Sequence, residues 1–246
     1  MKKLLFFILL NSQVFAQQEN WLQPSRFFPI LEENINIDLL IGEGFSGIKT
    51  KIELENIENF KHFGTTAKKI PTENGQITVK FLEEGTHLII LDEKSIAKNY
   101  EYLAFNNYLE TNDFYDIKRI NQKNVTETKY QTHKMLVQVG GQVDETYQQA
   151  TNQRLEIIPL SNPFDKNSST VSFKVLFDDE TLKSNTVKHW LKDASGQNME
   201  GVHTDKNGLV NFNIKHGLHV LTVTKMIDLG NGQYETHTNS LTFGKK

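Results

Sequence analysis

The strongest constraint on the fold is the alternation of apolar and polar side chains in TVSFKVLFDD, residues 170–179. Successive side chains of a β-strand point to opposite faces, so a period of two places all the apolar ones on one face. Those residues are Val171, Phe173, Val175 and Phe177. The pattern predicts a half-buried β-strand.

Similar short segments recur along the chain at roughly ten-residue spacing. The clearest are INIDLLI (35–41), GQITVKF (75–81), HLIILD (87–92), VNFNI (210–214) and HVLTVTKM (219–226). Gly, Asn and Asp separate them, as in TENGQ, where Asn74-Gly75 is a strong hairpin-turn signal, and in TDKNG at 204–208. Short strands at this spacing, bounded by turn residues, predict a β-sandwich.

The pattern changes at Asp92. From there to Val139 the chain contains neither Gly nor Pro, and it is rich in tyrosine and phenylalanine. Ile96, Tyr100 and Leu103 fall on one face of a helix. We therefore predict one or two amphipathic helices, whose aromatic side chains pack on the sheet.

Two β regions follow from this organisation. Strand character resumes at 134–142, and a polar segment at 144–153 has the composition of a linker. We predict a mostly β chain with an N-terminal β-sandwich at 17–143, which carries the helical insertion at about 93–125, and a C-terminal β-sandwich at 154–246.

The first 16 residues, MKKLLFFILLNSQVFA, have the pattern of a secretory signal peptide. Lys2 and Lys3 form a positive region, residues 4–10 form a short apolar run, and small side chains precede a cleavage site after Ala16. No later apolar window is long enough to span a bilayer. We predict a periplasmic or secreted protein without a transmembrane anchor in its mature chain.

Charge and cysteine content narrow the classes of function. The formal net charge is −3 and no block of basic residues is present, which argues against nucleic acids and anionic membranes as partners. The chain has no cysteine, so thiolate chemistry and cysteine-based metal sites are excluded.

Histidine is the most plausible metal donor besides the carboxylates. KHGLHV places His216 at a turn and His219 at the start of a strand, and imidazoles in this spacing can converge on one ion. His203 and His237 could join them if their strands are neighbours. The alternative is that these are ordinary turn and strand residues that never meet.

Motifs for catalysis are missing. The sequence has no GxSxG, HExxH or P-loop pattern. The acidic pairs Asp178-Asp179 and Glu83-Glu84 are more typical of solvated turns than of catalytic pairs. We expect no enzymatic activity; a hydrolase using two carboxylates about 5–10 Å apart is the remaining enzymatic hypothesis.

A resemblance to a known family begins at NWLQPSRFFPILEENINIDLLIGEGFSG. The matching residues are Trp21, Leu22, Pro24, Gly42, Gly44 and Phe45. Glu127, Tyr130 and Lys134 lead into the matching segment LVQVGG, and LEIIPLSNP (155–163) and TDKNG match further on. The chain resembles the family called domain of unknown function 4198, over nearly its whole mature length.

The resemblance implies two sandwiches of the immunoglobulin-like or prealbumin-like kind. It also implies an exported, non-enzymatic binding or accessory protein linked to nickel or cobalt uptake, whose partners would be a nickel or cobalt ion or a membrane transport component. Relatives carry a histidine where this chain has Gln18, so a metal role here would depend on His203, His216, His219 and His237.

The alternative function is a metal-independent β-sandwich module that binds protein or carbohydrate. Such a module would need exposed aromatic side chains as a platform. Trp190 and Tyr234 are the candidates in the C-terminal β region.

Overall fold

The computed structural model describes residues 19–50, 52–71, 77–121, 123–142 and 144–246. The predicted signal peptide, Gln18 and the Asn74-Gly75 turn lie outside the described residues. None of the helices in the part of the chain that the structure describes has the length and apolar character needed to cross a membrane.

The described residues form 17 strands, one α-helix and two short 3-10 helices. The strands are β1 (Glu19–Pro24), β2 (Asn34–Gly42), β3 (Ile48–Thr50), β4 (Ile57–Phe63), β5 (Ala67–Pro71), β6 (Ile77–Phe81), β7 (Gly85–Glu93), β8 (Ile96–Glu101), β9 (Asn124–Val139), β10 (Leu155–Pro159), β11 (Thr170–Phe177), β12 (Glu180–Thr181), β13 (Thr186–Asp193), β14 (Gly196–His203), β15 (Leu209–Asn213), β16 (Gly217–Gly230) and β17 (Gln233–Lys245). The α-helix, α1, is Tyr102–Thr111, and the 3-10 helices are Leu54–Asn56 and Thr146–Gln148. The protein is therefore mostly β, as predicted.

The strands form three sheets. The central sheet has the order β14-β13-β16-β17-β9-β7-β4, with β8 paired to β9. The N-terminal sheet has the order β1-β2-β6-β5, with β3 on β2, and the C-terminal sheet contains β10, β11, β12 and β15. Both predicted segments contribute strands to the central sheet, through the parallel pair of β9 and β17. The division of the chain into two separate domains stays a prediction.

The central sheet is buried on both faces where β7 and β9 run through it. Leu88 and Ile90 pack into the core beneath the C-terminal sheet. Ile89 and Leu91 pack into the core beneath the N-terminal sheet. This is why HLIILD is a continuous apolar run rather than an alternating one, since a strand covered on both sides needs apolar residues at every position.

The described strands fall into two series with a similar pairing pattern, which we call the first and the second copy. The first copy comprises β1 to β7 with β9, and the second comprises β10 to β17. In both copies the second strand pairs with the first strand and with the sixth. Paired triplets that begin at a proline of the first strand are Pro24–Ile37–Ile77 and Pro159–Phe173–Val210.

In the first copy, the strand order is that of an immunoglobulin constant-type sandwich. One sheet is β1-β2-β6-β5 and the other contains β4, β7 and β9. The second copy differs in its fifth strand, because β14 pairs with β13 in the central sheet whereas β5 pairs with β6. The last strands of the two copies, β9 and β17, join the copies into one sheet.

The predicted helical region is shorter in the structure. Residues 96–101 form β8, which pairs antiparallel with the first part of β9. Only Tyr102–Thr111 is α-helical. The expectation that Ile96 and Tyr100 lie on a helix was wrong, because β9 extends back to Asn124 and its edge offers hydrogen-bonding partners that an extended chain satisfies.

The glycine loop between β2 and β3 packs against two tryptophans. Gly44 has φ +56°, and a Cβ there would lie 2.7 Å from Cζ3 of Trp190. A Cβ on Gly47 would lie 2.4 Å from Cη2 of Trp21, which is buried. The glycines of GEGFSG therefore let the loop approach the two indoles.

Replacing Gly47 by alanine is expected to lower the free energy of unfolding by about 1–3 kcal/mol, because the new methyl group must displace the ring of Trp21. Urea denaturation measures the change. Gly141→Ala is the matched control, since a Cβ there meets no atom within 4 Å. Equal urea midpoints for the two variants would contradict the packing argument.

Candidate functional site

The four histidines predicted as metal ligands lie apart. His219 is buried on β16 and makes hydrogen bonds with His189 and with the Lys215 carbonyl oxygen. His216 is exposed in the turn before β16. His203 lies at the end of β14 beside Thr186. His237 lies on β17 and contacts Arg154 instead.

No group of three or more His, Cys, Asp or Glu side chains within the described ranges is arranged to hold a metal ion. Both ring nitrogens of His219 are already engaged, one by His189 and the other by the carbonyl of Lys215. The nickel or cobalt site stays a prediction that this arrangement does not support.

The structure instead shows histidine pairs that the sequence analysis missed. His189 Nε2 lies 2.9 Å from His219 Nδ1, and His219 Nε2 lies 2.8 Å from the Lys215 carbonyl oxygen. A carbonyl can only accept, so His219 donates from Nε2 and accepts at Nδ1, and His189 donates from Nε2. Glu200 Oε1 lies 3.0 Å from the remaining nitrogen of His189, a contact that is attractive when His189 carries a second proton.

The first copy contains the same arrangement. His62 Nε2 lies 2.9 Å from His87 Nδ1, and His87 Nε2 lies 3.2 Å from the Glu83 carbonyl oxygen. The register is also the same, because His62 lies opposite Ile89 on β7 and His189 lies opposite Leu221 on β16. The repeated signals in the sequence are KHF and KHW for the first histidine, and GTH and GLH for the second.

Burial governs the protonation of these pairs. Burial, together with the nearby His62, lowers the pKa of His87 to about 4. Burial likewise lowers the pKa of His219 to about 3, with His189 acting in the same direction. His87 and His219 are therefore neutral at pH 7.

A concavity of about 330 Å³ lies at the ends of β4 and β7, and we call it the polar cleft. Its other walls come from β9, β17 and residues 152–155. Six of its side chains are neutral amides or hydroxyls that can serve as donor and acceptor. They are Asn59, Gln131, Thr132, Asn152, Gln153 and Thr238, and they lie beside the charged residues Glu58, Lys61, Asp92, Glu93 and Arg154.

An aromatic pair and an arginine border the polar cleft. The rings of Tyr130 and His237 are stacked, with centroids 4.6 Å apart and planes 4° from parallel. Arg154 is held by Asp178, at 2.7 Å from Nε, and by Glu235, at 2.5 Å from Nη1. The guanidinium is thus neutralised and fixed in place, so it orients the aromatic pair rather than leaving a free positive charge.

Two of the three carboxylates that line the polar cleft, Asp92 and Glu93, are engaged as hydrogen-bond acceptors. Thr132 donates to Asp92 at 2.9 Å and Gln153 donates to it at 3.1 Å. Burial alone would raise the pKa of Glu93, but the hydrogen bond and charge of His133, 2.7 Å away, outweigh it and lower that pKa. A general acid needs a raised pKa, so Glu93 has the opposite property.

A buried ion pair lies next to the polar cleft, within the core. Lys134 Nζ lies 2.7 Å from Glu156 Oε1 and donates to the Ile157 carbonyl oxygen at 2.9 Å. The Thr151 hydroxyl also donates to Glu156, at 2.5 Å. The carbonyl oxygen of Ile157 thus accepts from Lys134, and the N–H of Ile157 donates to Asn239 Oδ1. These two bonds supply partners for the backbone of β10 at its edge toward the central sheet.

A second buried carboxylate anchors the helix. Glu127 accepts hydrogen bonds from Tyr100, Tyr108 and Thr236, at 2.7, 2.9 and 2.6 Å. Burial, together with the hydrogen bond and charge of Glu127, raises the pKa of both tyrosines, so they remain donors. Lys129 Nζ lies 3.5 Å from the same carboxylate.

The predicted aromatic platform is absent from the described C-terminal β region. Tyr234 is buried and packs against the ring of Phe105, 4.6 Å between centroids. Trp190 is half-buried beneath Gly44. The expectation that these two residues form an exposed platform was wrong, because the helix covers one and the glycine loop covers the other.

Comparison with known protein families gives a match to the model of a domain of unknown function, DUF4198, over residues 18–225. The chain belongs to the DUF4198 family. The resemblance stated from the sequence is thereby confirmed at the level of the family.

Several residues that carried the resemblance to DUF4198 have structural roles. Gly44 and Phe45 belong to the glycine loop, which packs against Trp21 of β1, and the rings of Trp21 and Phe45 are 6.3 Å apart. Glu127 and Lys134 are the buried charges described above, and Tyr130 borders the polar cleft. The residues of the N-terminal signature therefore have packing roles in this fold.

No curated protein matches this DUF4198 chain. Among solved structures, it is similar to the D0-D1 domain of intimin, with 11% identity, 91% of this chain and 97% of that chain covered, and a TM-score of 0.25. The D00-D0 domain of intimin gives 10% identity, 92% and 99% coverage and a TM-score of 0.20. Dimeric latent PorU from Porphyromonas gingivalis gives 12% identity, 93% and 20% coverage and a TM-score of 0.21. At these TM-scores the likenesses carry no conclusion about fold or function.

Proposed function

We propose that this chain is an exported, non-enzymatic binding module and that the polar cleft takes a neutral polyhydroxylated ligand, of the carbohydrate class. The observation that carries the proposal is the lining of the polar cleft, which combines neutral amide and hydroxyl groups with the stacked rings of Tyr130 and His237. Sugar hydroxyls both donate and accept hydrogen bonds, and amide side chains match them in both roles.

The size and charge of the polar cleft support this class of ligand. A volume of about 330 Å³ lies at the small end of the range of about 300–1,000 Å³ for ligand pockets. Arg154 is already neutralised by two carboxylates, so it offers little to an anionic ligand. The engaged state of Asp92 and Glu93 supports binding rather than acid–base catalysis.

The test is a thermal-denaturation screen with neutral mono- and oligosaccharides. A ligand that binds the folded chain raises the melting temperature with concentration, and an excess of 100 times Kd stabilises by about 2.7 kcal/mol. We expect a sugar that gives such a rise, and we expect Tyr130→Ala to abolish it. Tyr115→Ala is the matched control, because Tyr115 is exposed and lies outside the polar cleft. A screen without any rise, or a rise unchanged by Tyr130→Ala, would refute the proposal.

The second candidate is an accessory role in nickel or cobalt uptake, which is what the resemblance stated from the sequence implies. It requires a metal ion or a membrane transport component as partner. Titration with Ni²⁺ and Co²⁺ in the same assay tests the ion: this role requires a rise in melting temperature that His216→Gln weakens. A melting temperature that millimolar metal leaves unchanged would count against it.

A further inference from the structure

Two side chains in the core converge on the backbone of one residue of β10. Lys134 Nζ donates to the carbonyl oxygen of Ile157 at 2.9 Å, and the N–H of Ile157 donates to Asn239 Oδ1 at 3.1 Å. The N–H and the C=O of one strand residue point to the same side of the strand, since both can bond the same residue of a neighbouring strand. The amine of Lys134 and the side-chain amide of Asn239 are therefore close neighbours.

These two side chains come from the strands that join the two copies. β9 and β17 are parallel, with Lys134 opposite Leu241 and Asn239 opposite Thr132. Because side chains alternate along a strand, Asn239 lies on the same face as Leu241 and is a diagonal neighbour of Lys134. A bond between Lys134 and Asn239 would connect the last strands of the two copies.

A buried carboxylate completes this group. Glu156 Oε1 lies 2.7 Å from Lys134 Nζ and accepts hydrogen bonds from the N–H and the hydroxyl of Thr151. The exposed fractions of Lys134, Glu156 and Asn239 are 1%, 2% and 0%, so water has little access to them. None of these three residues lines the polar cleft, so the group is separate from the proposed saccharide site.

The surroundings of Lys134 favour attack by its amine on an amide. Burial lowers the pKa of Lys134, and this effect outweighs the opposing charge and hydrogen bond of Glu156. Transfer of one proton to Glu156 leaves a neutral amine, which is the nucleophilic form of lysine. The N–H of Ile157 already donates to Asn239 Oδ1, the atom on which negative charge develops when the carbonyl carbon is attacked.

We infer that Lys134 and Asn239 form an isopeptide bond in the folded chain, with Glu156 as the group that moves the protons. Rotation of the flexible lysine side chain brings Nζ from the Ile157 carbonyl oxygen to Cγ of Asn239. The reaction is an intramolecular transamidation that releases ammonia. It needs no cofactor, oxidant or reductant.

Glu156 handles two protons during this reaction. It takes one from the Lys134 ammonium, and the freed electron pair of Nζ forms a bond to Cγ of Asn239 while the carbonyl electron pair moves to Oδ1. Glu156 then gives its proton to Nδ2 and takes the second proton from Nζ. The electron pair on Oδ1 re-forms the carbonyl, the Cγ–Nδ2 bond breaks with its electron pair on nitrogen, and ammonia leaves.

The reaction removes two charges from the core. The ion pair becomes a neutral amide and a protonated Glu156, so no desolvated charge remains. The chain has no cysteine, so a disulfide cannot connect β9 to β17. The ion pair of Lys134 and Glu156 is the state before the bond forms, and stability differences that depend on the ion pair refer to that state.

Peptide mass spectrometry of the unaltered full chain tests the inference. Trypsin cuts after lysine and arginine, but not after a lysine whose amine is acylated. We expect residues 130–154 to be joined to residues 226–245, with a mass lower than the sum of the two fragments by about 17 Da for the lost ammonia. Fragmentation of the joined species is expected to place the bond between Lys134 and Asn239.

Variants identify the groups that react. Lys134→Arg keeps the positive charge but lacks the amine nucleophile, so residues 226–245 should be recovered only as a separate fragment. Glu156→Gln should lower the linked fraction about tenfold or more, because a positioned acid–base group contributes about 10²–10⁴-fold to a rate. Circular dichroism establishes that each variant is folded. Lys129→Arg is the matched control, since Lys129 lies 3.5 Å from another buried carboxylate, that of Glu127, and it should keep the linked fraction.

Three results would overturn the inference. One is recovery of residues 130–134 and 226–245 only as separate fragments from the unaltered chain. Another is a bond from Lys134 to residues 155–166, the fragment that contains Glu156. The third is an equal linked fraction in a folded Glu156→Gln variant, because the carboxylate would then take no part in the reaction.

Discussion

Lys134→Met is expected to lower the free energy of unfolding by about 3–5 kcal/mol, the usual cost of breaking a buried ion pair from one side. Lys134 and Glu156 are 1% and 2% exposed, and 2.7 Å separates their charged atoms. Removing the ammonium group leaves the Glu156 carboxylate buried with only the bonds from Thr151 to stabilise it. Urea denaturation, followed by circular dichroism, measures the change.

An exposed ion pair provides the matched control. Lys49 Nζ lies 2.6 Å from Asp38, but the lysine side chain is 68% exposed. Lys49→Met should therefore cost at most about 1 kcal/mol. The double variant Lys134→Met/Glu156→Leu should recover part of the lost stability, because no unpaired charge remains. Similar losses for Lys134→Met and Lys49→Met would contradict the role assigned to the buried pair.

Acidification from about pH 6.5 to pH 5 is expected to lower the free energy of unfolding by a few kcal/mol, before most carboxylates titrate. The pKa of His87 is lowered to about 4 and that of His219 to about 3, from 6.5, by burial and by the neighbouring histidine of each pair. In this window the unfolded chain binds protons that the folded chain does not, so acid favours unfolding. Stability that is present above pH 6.5 is lost as the pH falls toward those folded-state pKa values.

Urea denaturation at a series of pH values measures this loss. His87→Gln/His219→Gln should flatten the dependence between pH 6.5 and 4.5, whereas His216→Gln, an exposed position, should retain it. The lowered pKa values of Glu93, Asp144 and Asp205 act only at lower pH, near the ordinary range of carboxyl groups. A free energy of unfolding that is constant from pH 7 to pH 5 would show that the histidine pairs do not titrate in this way.

Strand positions could be predicted because they depend on local alternation. TVSFKVLFDD became β11 with Val171, Phe173 and Val175 buried, and VNFNI became β15 with Val210 and Phe212 buried. The helical region could not be predicted correctly in the same way. Ile96 begins a strand because β9 offers it an edge, and no local pattern contains that information.

Only part of the candidate site could be predicted from the sequence. His237 was named as a candidate ligand and does border the polar cleft, but next to Tyr130 and Arg154 rather than with His203, His216 or His219. The paired histidines were missed, although KHF and KHW repeat the same signal. Their meaning depends on register, because the partners His87 and His219 lie on other strands.

The sequence by itself determined the mostly β character, the positions of most strands and membership of the family, because side-chain alternation and turn residues act over a few neighbouring positions. Only the tertiary structure decided that β9 and β17 pair in parallel, that the fifth strands of the two copies lie in different sheets, and that a polar cleft forms beside Arg154. The physical reason is that alternation specifies which face of a strand is buried, whereas it does not specify which distant strand completes the hydrogen bonds of its edge.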